Sequence, residues 1–220
     1  MTNEIVVLDG IKIRIDPSWS DVMKQAFREG NYEVAERKML SCVKDTDIVM
    51  ELGTGIGFLA CYLCKHQKPK EIHTYEINPD LQPFIQDTMA RNGGVFQVYN
   101  YTLGWEPGVL KYHPHKDFWA TSVEYMAGSS NEQRYANVIS FYEECEIIKP
   151  TVLIIDTEGC EFDLLTRGLI PKSVTKLIVE MHSHILKPKH IHLMKAALEN
   201  QGFIIQAESR GVYSYSRASA

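Results

Sequence analysis

Two groups of residues in this 220-residue chain have types and spacings suited to chemistry. The first is Glu51-Leu-Gly53-Thr-Gly55-Ile-Gly57. Glycines at alternate positions after an apolar run let backbone come very close to a ligand, and the N–H groups of a following helix then point at it. Glu76 lies 19 residues after Gly57 and ends the next apolar run. A carboxylate at that place can accept both hydroxyls of a ribose. The pair suits a dinucleotide or S-adenosylmethionine (SAM), and three details favour SAM. The spacing is Gly-x-Gly-x-Gly, not Gly-x-Gly-x-x-Gly. Glu51 suits the ammonium of a methionine moiety and would repel a pyrophosphate. The last two expected strands form a hairpin, which is foreign to a fully parallel dinucleotide-binding sheet.

The second group is Asp156-Thr-Glu158-Gly159-Cys-Glu161, followed by Glu180-Met-His182-Ser-His184. Each follows an apolar run. In an open α/β sheet ligands bind beyond the carboxyl ends of the strands, so both segments should meet the reactive end of the cofactor. Methyl transfer to an alcohol needs a base, and Asp156, Glu158 and His182 have suitable chemistry. The dipole of the helix that follows should favour the ionised carboxylates. Asp156 and Glu161 also have the character of helix-capping residues. No metal is assigned, although Asp156, Glu158, Glu180 and His182 have the donor atoms that a hard divalent cation takes. Cys61 and Cys64 share a helix face and read as core packing.

These residues need elements to place them. Residues 4–8 and 11–15 flank Asp9-Gly10 and read as a hairpin. Residues 18–42 read as helix, interrupted near Gly30-Asn31. Strands are expected at 48–52, 71–76, 96–103, 151–156 and 176–181. Helices are expected at 56–66, 79–91, from 161 to 166, and at 188–201. Two closing strands cover 203–207 and 212–216. Strand–helix alternation followed by a hairpin predicts an α/β sheet, mostly parallel, with an antiparallel strand near the end. Residues 1–45 form an N-terminal hairpin and helical extension to a domain at 46–220. Residues 105–142 break the alternation. That insert carries Trp105, Tyr112, His113, His115, Phe118, Trp119, Tyr125, Met126, Tyr135, Phe141 and Tyr142. It reads either as a lid over a ligand or as a hairpin and helix packing their own aromatic side chains.

Asp156-x-Glu158-Gly159-x-Glu161-x-x-Leu164 resembles the signature of the FkbM-type family of SAM-dependent methyltransferases. Its spacing from Glu51–Gly57, the segment Gly30-Asn-Tyr-Glu33, Asn100-x-x-Leu-Gly104 and Val179-Glu-x-His182 are similar to that family too. The resemblance runs from about residue 28 to 185. It implies a class I methyltransferase fold (a Rossmann-like sheet), SAM as donor, and O-methylation of a sugar, polyketide or similar small molecule. Family members often carry lysine where this chain has Ile154. On this reading Gly53, Gly55 and Gly57 pass close to the methionine and ribose. Glu51 holds the amino end, Glu76 binds the ribose, and Asn100 or Tyr101 borders the adenine. Asp156 and Glu158, with His182, orient and deprotonate the acceptor. The competing readings are a nicotinamide-dependent oxidoreductase and a non-catalytic binding protein on the same fold.

Composition narrows the class. The formal net charge is −5, which argues against a dedicated duplex-binding surface, so no nucleic-acid partner is expected. No apolar run approaches the ~18 residues of a membrane span. The first fifteen residues carry Glu4 and Asp9 and lack the order of a signal peptide. Five cysteines are an odd number at low density, so a reduced, cytoplasmic protein is expected. The expected partner is a small-molecule methyl acceptor, and the oligomeric state is left open.

Overall fold

The structure is a computed structural model that describes residues 4–115, 117–123 and 132–217. The N-terminal hairpin pairs β1 (Ile5–Leu8) with β2 (Ile11–Arg14), with Leu8 opposite Ile11. Its turn places Asp9 and Gly10 at φ 47° and 78°, the left-handed geometry that Asp-Gly accommodates. Two helices follow, α1 (Asp21–Arg28) and α2 (Val34–Met39). Ser20 caps α1 by accepting a hydrogen bond from the Met23 amide. The expected break near Gly30-Asn31 is the link between the two helices.

The main body contains β3 (Ile48–Leu52), α3 (Phe58–His66), β4 (Glu71–Tyr75), α4 (Gln82–Asn92) and β5 (Gln97–Tyr99). After a second small sheet come α5 (Phe141–Ile148), β9 (Val152–Ile155), α6 (Glu161–Thr166) and β10 (Lys176–Glu180). Then follow α7 (Pro188–Asn200), β11 (Phe203–Ser209) and β12 (Val212–Arg217). The seven-stranded sheet has the order β11-β12-β10-β9-β3-β4-β5. All its neighbours pair in parallel except β12, which is antiparallel to both β10 and β11. The mostly parallel α/β sheet and its antiparallel terminal strand are therefore as expected. The order reverses between β3 and β9, so the carboxyl ends of these two strands open a crevice, and the glycine loop and Asp156 lie there.

The expected strand at 96–103 is two strands in different sheets. β5 ends the large sheet, and β6 (Thr102–Gly104) joins β7 (Gly108–Tyr112) and β8 (Arg134–Ser140) in the order β6-β8-β7. The chain turns at Asn100, whose amide donates to the backbone carbonyls of Glu76 and Ile77 at 2.7 and 3.3 Å. Periodicity has no signal for such a switch, because both pieces are extended.

Side chains alternate across the buried strands and divide the core in two. Val152 and Ile154 face one cluster with Val49, Ile72, Phe58 and the N-terminal residues Ile11, Ile13, Met23 and Phe27. Leu153 and Ile155 face the other, with Leu52, Phe141, Leu165, Met194 and Tyr215. The extension before residue 45 thus shares a core with the sheet. Each fully buried aliphatic side chain contributes about 1.5–3 kcal/mol, so the extension is part of what stabilises that face. Ile154 lies in this apolar cluster, which leaves it no part in the polar site beside it. All five cysteines are free thiols, and Cys61 packs in the core as expected. No helix among the described residues is long and apolar enough to cross a membrane.

Candidate active site

The glycine loop follows β3 and enters α3. Gly53, Gly55 and Gly57 all have positive φ, at 91°, 56° and 78°. The need for glycine is sharpest at Gly53, where a Cβ would lie 1.6 Å from the carbonyl oxygen of Asp156. That close approach fastens the end of β3 against the end of β9. Gly53 and Thr54 donate their amides to the Tyr75 carbonyl at 2.9 and 3.2 Å, which ties the loop to β4 as well.

Glu76 accepts from the Gly55 amide at 2.9 Å on one oxygen and from the Asn78 amide at 2.8 Å on the other. Each oxygen keeps a further lone-pair site for a ligand hydroxyl. Burial pushes its pKa up to about 7, against those two amides. Glu51 is 1% exposed. The Thr54 hydroxyl donates to one of its oxygens at 3.3 Å, and the other oxygen is buried without a hydrogen-bond partner. Burial raises Glu51 to about 8. An orphaned buried carboxylate oxygen beside a glycine loop fits the amino end of a SAM molecule.

A cavity of about 520 Å³ opens over these elements. Gly53, Thr54, Gly55 and Glu76 form one wall, and Asp156 and Glu158 from the β9 end and Glu180 from the β10 end form another. Glu51, Gly57, Asn100 and Tyr101 stand outside that wall. Gly57 starts α3, Asn100 holds the Glu76–Ile77 backbone, and Tyr101 donates its hydroxyl to Glu144 at 3.1 Å. Ile77 lines the cavity in their place.

Glu33 and Glu36 also reach this cavity, from the start of α2. Burial raises both, Glu36 to about 7, and the nearby charges of Asp156 and Glu180 push in the same direction. Gly30-Asn-Tyr-Glu33 is part of the family resemblance, but no spacing links it to residues more than a hundred positions away. Burial likewise raises Asp156, opposed by its contact with His182. The expected helix-dipole effect is outweighed, because α6 is a single short helix and partial burial raises the carboxylate.

His182 sits behind the carboxylate wall with its side chain 4% exposed. Its Nδ1 lies 2.6 Å from Glu161, which is fully buried and also accepts from the Thr157 and Gly159 amides. Its Nε2 faces Asp156, Glu158 and Glu180 at 3.3, 3.3 and 3.5 Å. Burial alone would lower its pKa, but the carboxylates around it overcome that and raise it strongly. His184 contacts the other oxygen of Glu158 at 3.3 Å.

The aromatic insert divides between its two readings. Phe118, Trp119 and Ala120 line the cavity, and Trp119 stacks on Tyr32 with ring centroids 6.2 Å apart. Trp105 instead packs over Gly168 and donates its indole N–H to the carbonyls of Asp163 and Leu164. Tyr112 and Phe141 are core residues. Tyr125 and Met126 lie outside the described residues.

Residues 5–100 match the TRM5/TYW2 methyltransferase domain. The chain is 26% identical over 166 residues to the hexuronic acid methyltransferase AglP of Haloferax volcanii, covering 70% of this chain and 64% of that protein. It is 30% identical over 73 residues to the tRNA(Phe) (4-demethylwyosine(37)-C(7)) aminocarboxypropyltransferase of Methanocaldococcus jannaschii, covering 33% of this chain and 28% of that one. The chain thus spans less than two thirds of the length of either curated relative. Among solved structures, TrmK of M. capricolum with S-adenosylhomocysteine (SAH) bound superposes with a TM-score of 0.52. That match has 12% identity and covers 84% of this chain and 69% of that one. The fold is that of class I methyltransferases, and the sequence is related to SAM-dependent methyltransferases, which imply SAM as the cofactor. The family match ends at residue 100, before the segment 156–164 that carries the FkbM-type resemblance.

Proposed function

We propose that this chain is a SAM-dependent methyltransferase that methylates a hydroxyl of a small molecule, of FkbM-like character. One observation carries the reading: the glycine loop and Glu76 share a single cavity with Asp156, Glu158 and Glu180. When bound, SAM supplies an electrophilic methyl group on a sulfonium. The chain's own residues do the rest. Glu76 holds the ribose hydroxyls, and the backbone of Gly53 to Gly55 lies along the methionine side, with Glu51 behind it for the ammonium. Asp156 and Glu158 orient the acceptor hydroxyl and take its proton, since a neutral hydroxyl is a poor nucleophile. Asp156, raised by burial, is a better base than an exposed carboxylate. His182, hydrogen-bonded to Glu161 through Nδ1 and with Nε2 facing Asp156 and Glu158, keeps that pair in place and is a positioning residue. Phe118 and Trp119 cover the cavity and exclude water.

The related tRNA-modifying enzyme and the TRM5/TYW2 match make an RNA acceptor the second reading. The carboxylates on the cavity wall favour the small molecule, because a phosphate backbone would meet like charge there. The relative that acts on a hexuronic acid supports a sugar-like acceptor.

Calorimetry with SAM, SAH and NAD tests the cofactor, and NAD binding without SAM binding would overturn it. Transfer of labelled methyl to a metabolite extract or to a tRNA pool then separates the two acceptors. Asp156→Asn should lower kcat by about 10²–10⁴ with SAH affinity retained, the usual contribution of a general base. Near-normal turnover in that variant would remove Asp156 from the role.

A further inference from the structure

His182 presents Nε2 to three carboxylates at once, and one N–H cannot satisfy three acceptors. Its distances to Asp156, Glu158 and Glu180 are 3.3, 3.3 and 3.5 Å. All exceed the usual N–H···O length of about 2.7–3.2 Å, and none is much shorter than the others. A bridging imidazolium would draw one oxygen to hydrogen-bonding distance, as Nδ1 does with Glu161 at 2.6 Å. Spacings of this size are instead the edges of a coordination shell. Donor atoms bound about 2.0–2.2 Å from a shared cation lie roughly 3.0–3.5 Å apart. One ligand atom each from Asp156, Glu180 and His182 falls within 4.8 Å of the others.

The arrangement behind the histidine has the form of a metal site too. Glu161 is 0% exposed and held by the Thr157 and Gly159 amides. A buried carboxylate on one ring nitrogen fixes the tautomer and turns the other nitrogen's lone pair toward a metal. His182 itself is a nine-tenths-buried side chain whose Nε2 faces the locus. A single imidazolium also leaves three of the four surrounding carboxylates uncompensated, with Glu33 and Glu36 close by on the same cavity. A divalent cation bound to the neutral imidazole would offset two of those charges, one more than the imidazolium does.

We propose that Asp156, Glu180 and His182, with Glu158, bind one divalent first-row transition metal ion at the acceptor end of the cavity. One imidazole and several carboxylates suit Mn²⁺, Fe²⁺ or Zn²⁺ better than Mg²⁺. The binding site stands on these residues alone, whereas its role rests on the methyltransferase reading. There the cation binds the acceptor hydroxyl and lowers its pKa. The hydroxyl proton goes to a cavity carboxylate, the O–CH₃ bond forms as the S–CH₃ bond breaks, and the sulfonium becomes a neutral thioether.

The test uses Mn²⁺ as probe. Metal-stripped protein is titrated with MnCl₂, and free Mn²⁺ is followed by its six-line electron paramagnetic resonance signal. The expected result is one tight equivalent per chain. Asp156→Asn and Glu180→Gln should each weaken it tenfold or more, and Glu161→Gln by about 10–100-fold through the histidine. Circular dichroism and SAH calorimetry on the same samples report folding and the cofactor site separately. No Mn²⁺ binding by folded protein overturns the proposal, as does binding that Asp156→Asn and Glu180→Gln leave unchanged. Failure to bind SAH with the metal site intact would count against the methyltransferase reading alone.

Discussion

Glu51, in β3, and Glu76, just after β4, are both buried carboxylates beside the glycine loop, yet their surroundings predict different behaviour. Glu76 already accepts two backbone amides and keeps lone pairs toward the cavity. Glu76→Ala should weaken SAH binding by about 1.5–3 kcal/mol, the range for hydrogen bonds to a charged group, read by calorimetry. Unchanged affinity would remove it from the cofactor site. Glu51 has an oxygen with no partner and a pKa pushed up to about 8. Glu51→Gln keeps the shape and removes the charge. We expect it to raise Tm at pH 8.5, where the carboxylate must ionise in a buried place, and to change Tm little at pH 5.5. The same variant should bind SAH more weakly if the carboxylate meets the ammonium. Both glutamates stand out in the sequence by spacing. Their protonation does not, because it depends on how deeply folding encloses them.

At the scale of elements, the glycine loop is a joint between three strands. Its Gly53 amide is bound to the end of β4, and its missing side chain admits the β9 backbone. Gly53→Ala combines a left-handed φ of 91° with an impossible contact at 1.6 Å. It should cost about 3 kcal/mol or more in urea unfolding, with SAH binding lost alongside. A stable variant with normal SAH affinity would show that the two strand ends can part. The insert makes a more selective forecast. Trp119 is half-buried, lines the cavity and stacks on Tyr32. Trp119→Ala should impair acceptor use more than SAH affinity, whereas a joint fall with Tm would mark the residue as packing. Trp105, wedged over Gly168, should show the opposite pattern. An aromatic-rich segment is visible in the sequence as one block. Which ring covers the ligand and which packs on a helix depends on the second sheet, whose start at Thr102 no periodic signal marks.

For the molecule as a whole, the buried acids set the pH dependence. Glu36 and Glu76 are raised to about 7 and Glu51 to about 8, each by burial. Unfolded, such groups titrate near 4.5. Between those values the folded state binds more protons than the unfolded state, so stability falls as pH rises. Their contribution is fully present below about pH 4.5 and lost through pH 7–8. Asp47 acts the other way, because Lys176, Lys44 and Thr151 lower its pKa against burial, and its contribution is lost only in acid. The protein free of ligand should therefore have a higher Tm near pH 5.5 than at pH 8.5. Mn²⁺ should narrow that difference by screening the carboxylates at high pH. A Tm that rises steadily to pH 8.5 without metal would show that these acids are not enclosed in solution.

The local chemistry of this protein is largely written in adjacent residues. A glycine loop after an apolar strand, an acid at the end of the next strand, and alternating strand–helix periods determine the sheet and place one ligand at its switch point. Glycine conformations and hydrophobic periods act over a few residues, so they can be read along the chain. Tertiary structure decided what stands opposite that ligand. Glu33 and Glu36 come from the N-terminal extension, Asp156 and Glu158 from the end of β9, and Glu180 and His182 from the end of β10. Their mutual fields and shared burial exist only once those segments meet, since electrostatic energy depends on distance and enclosure, to which sequence separation is blind.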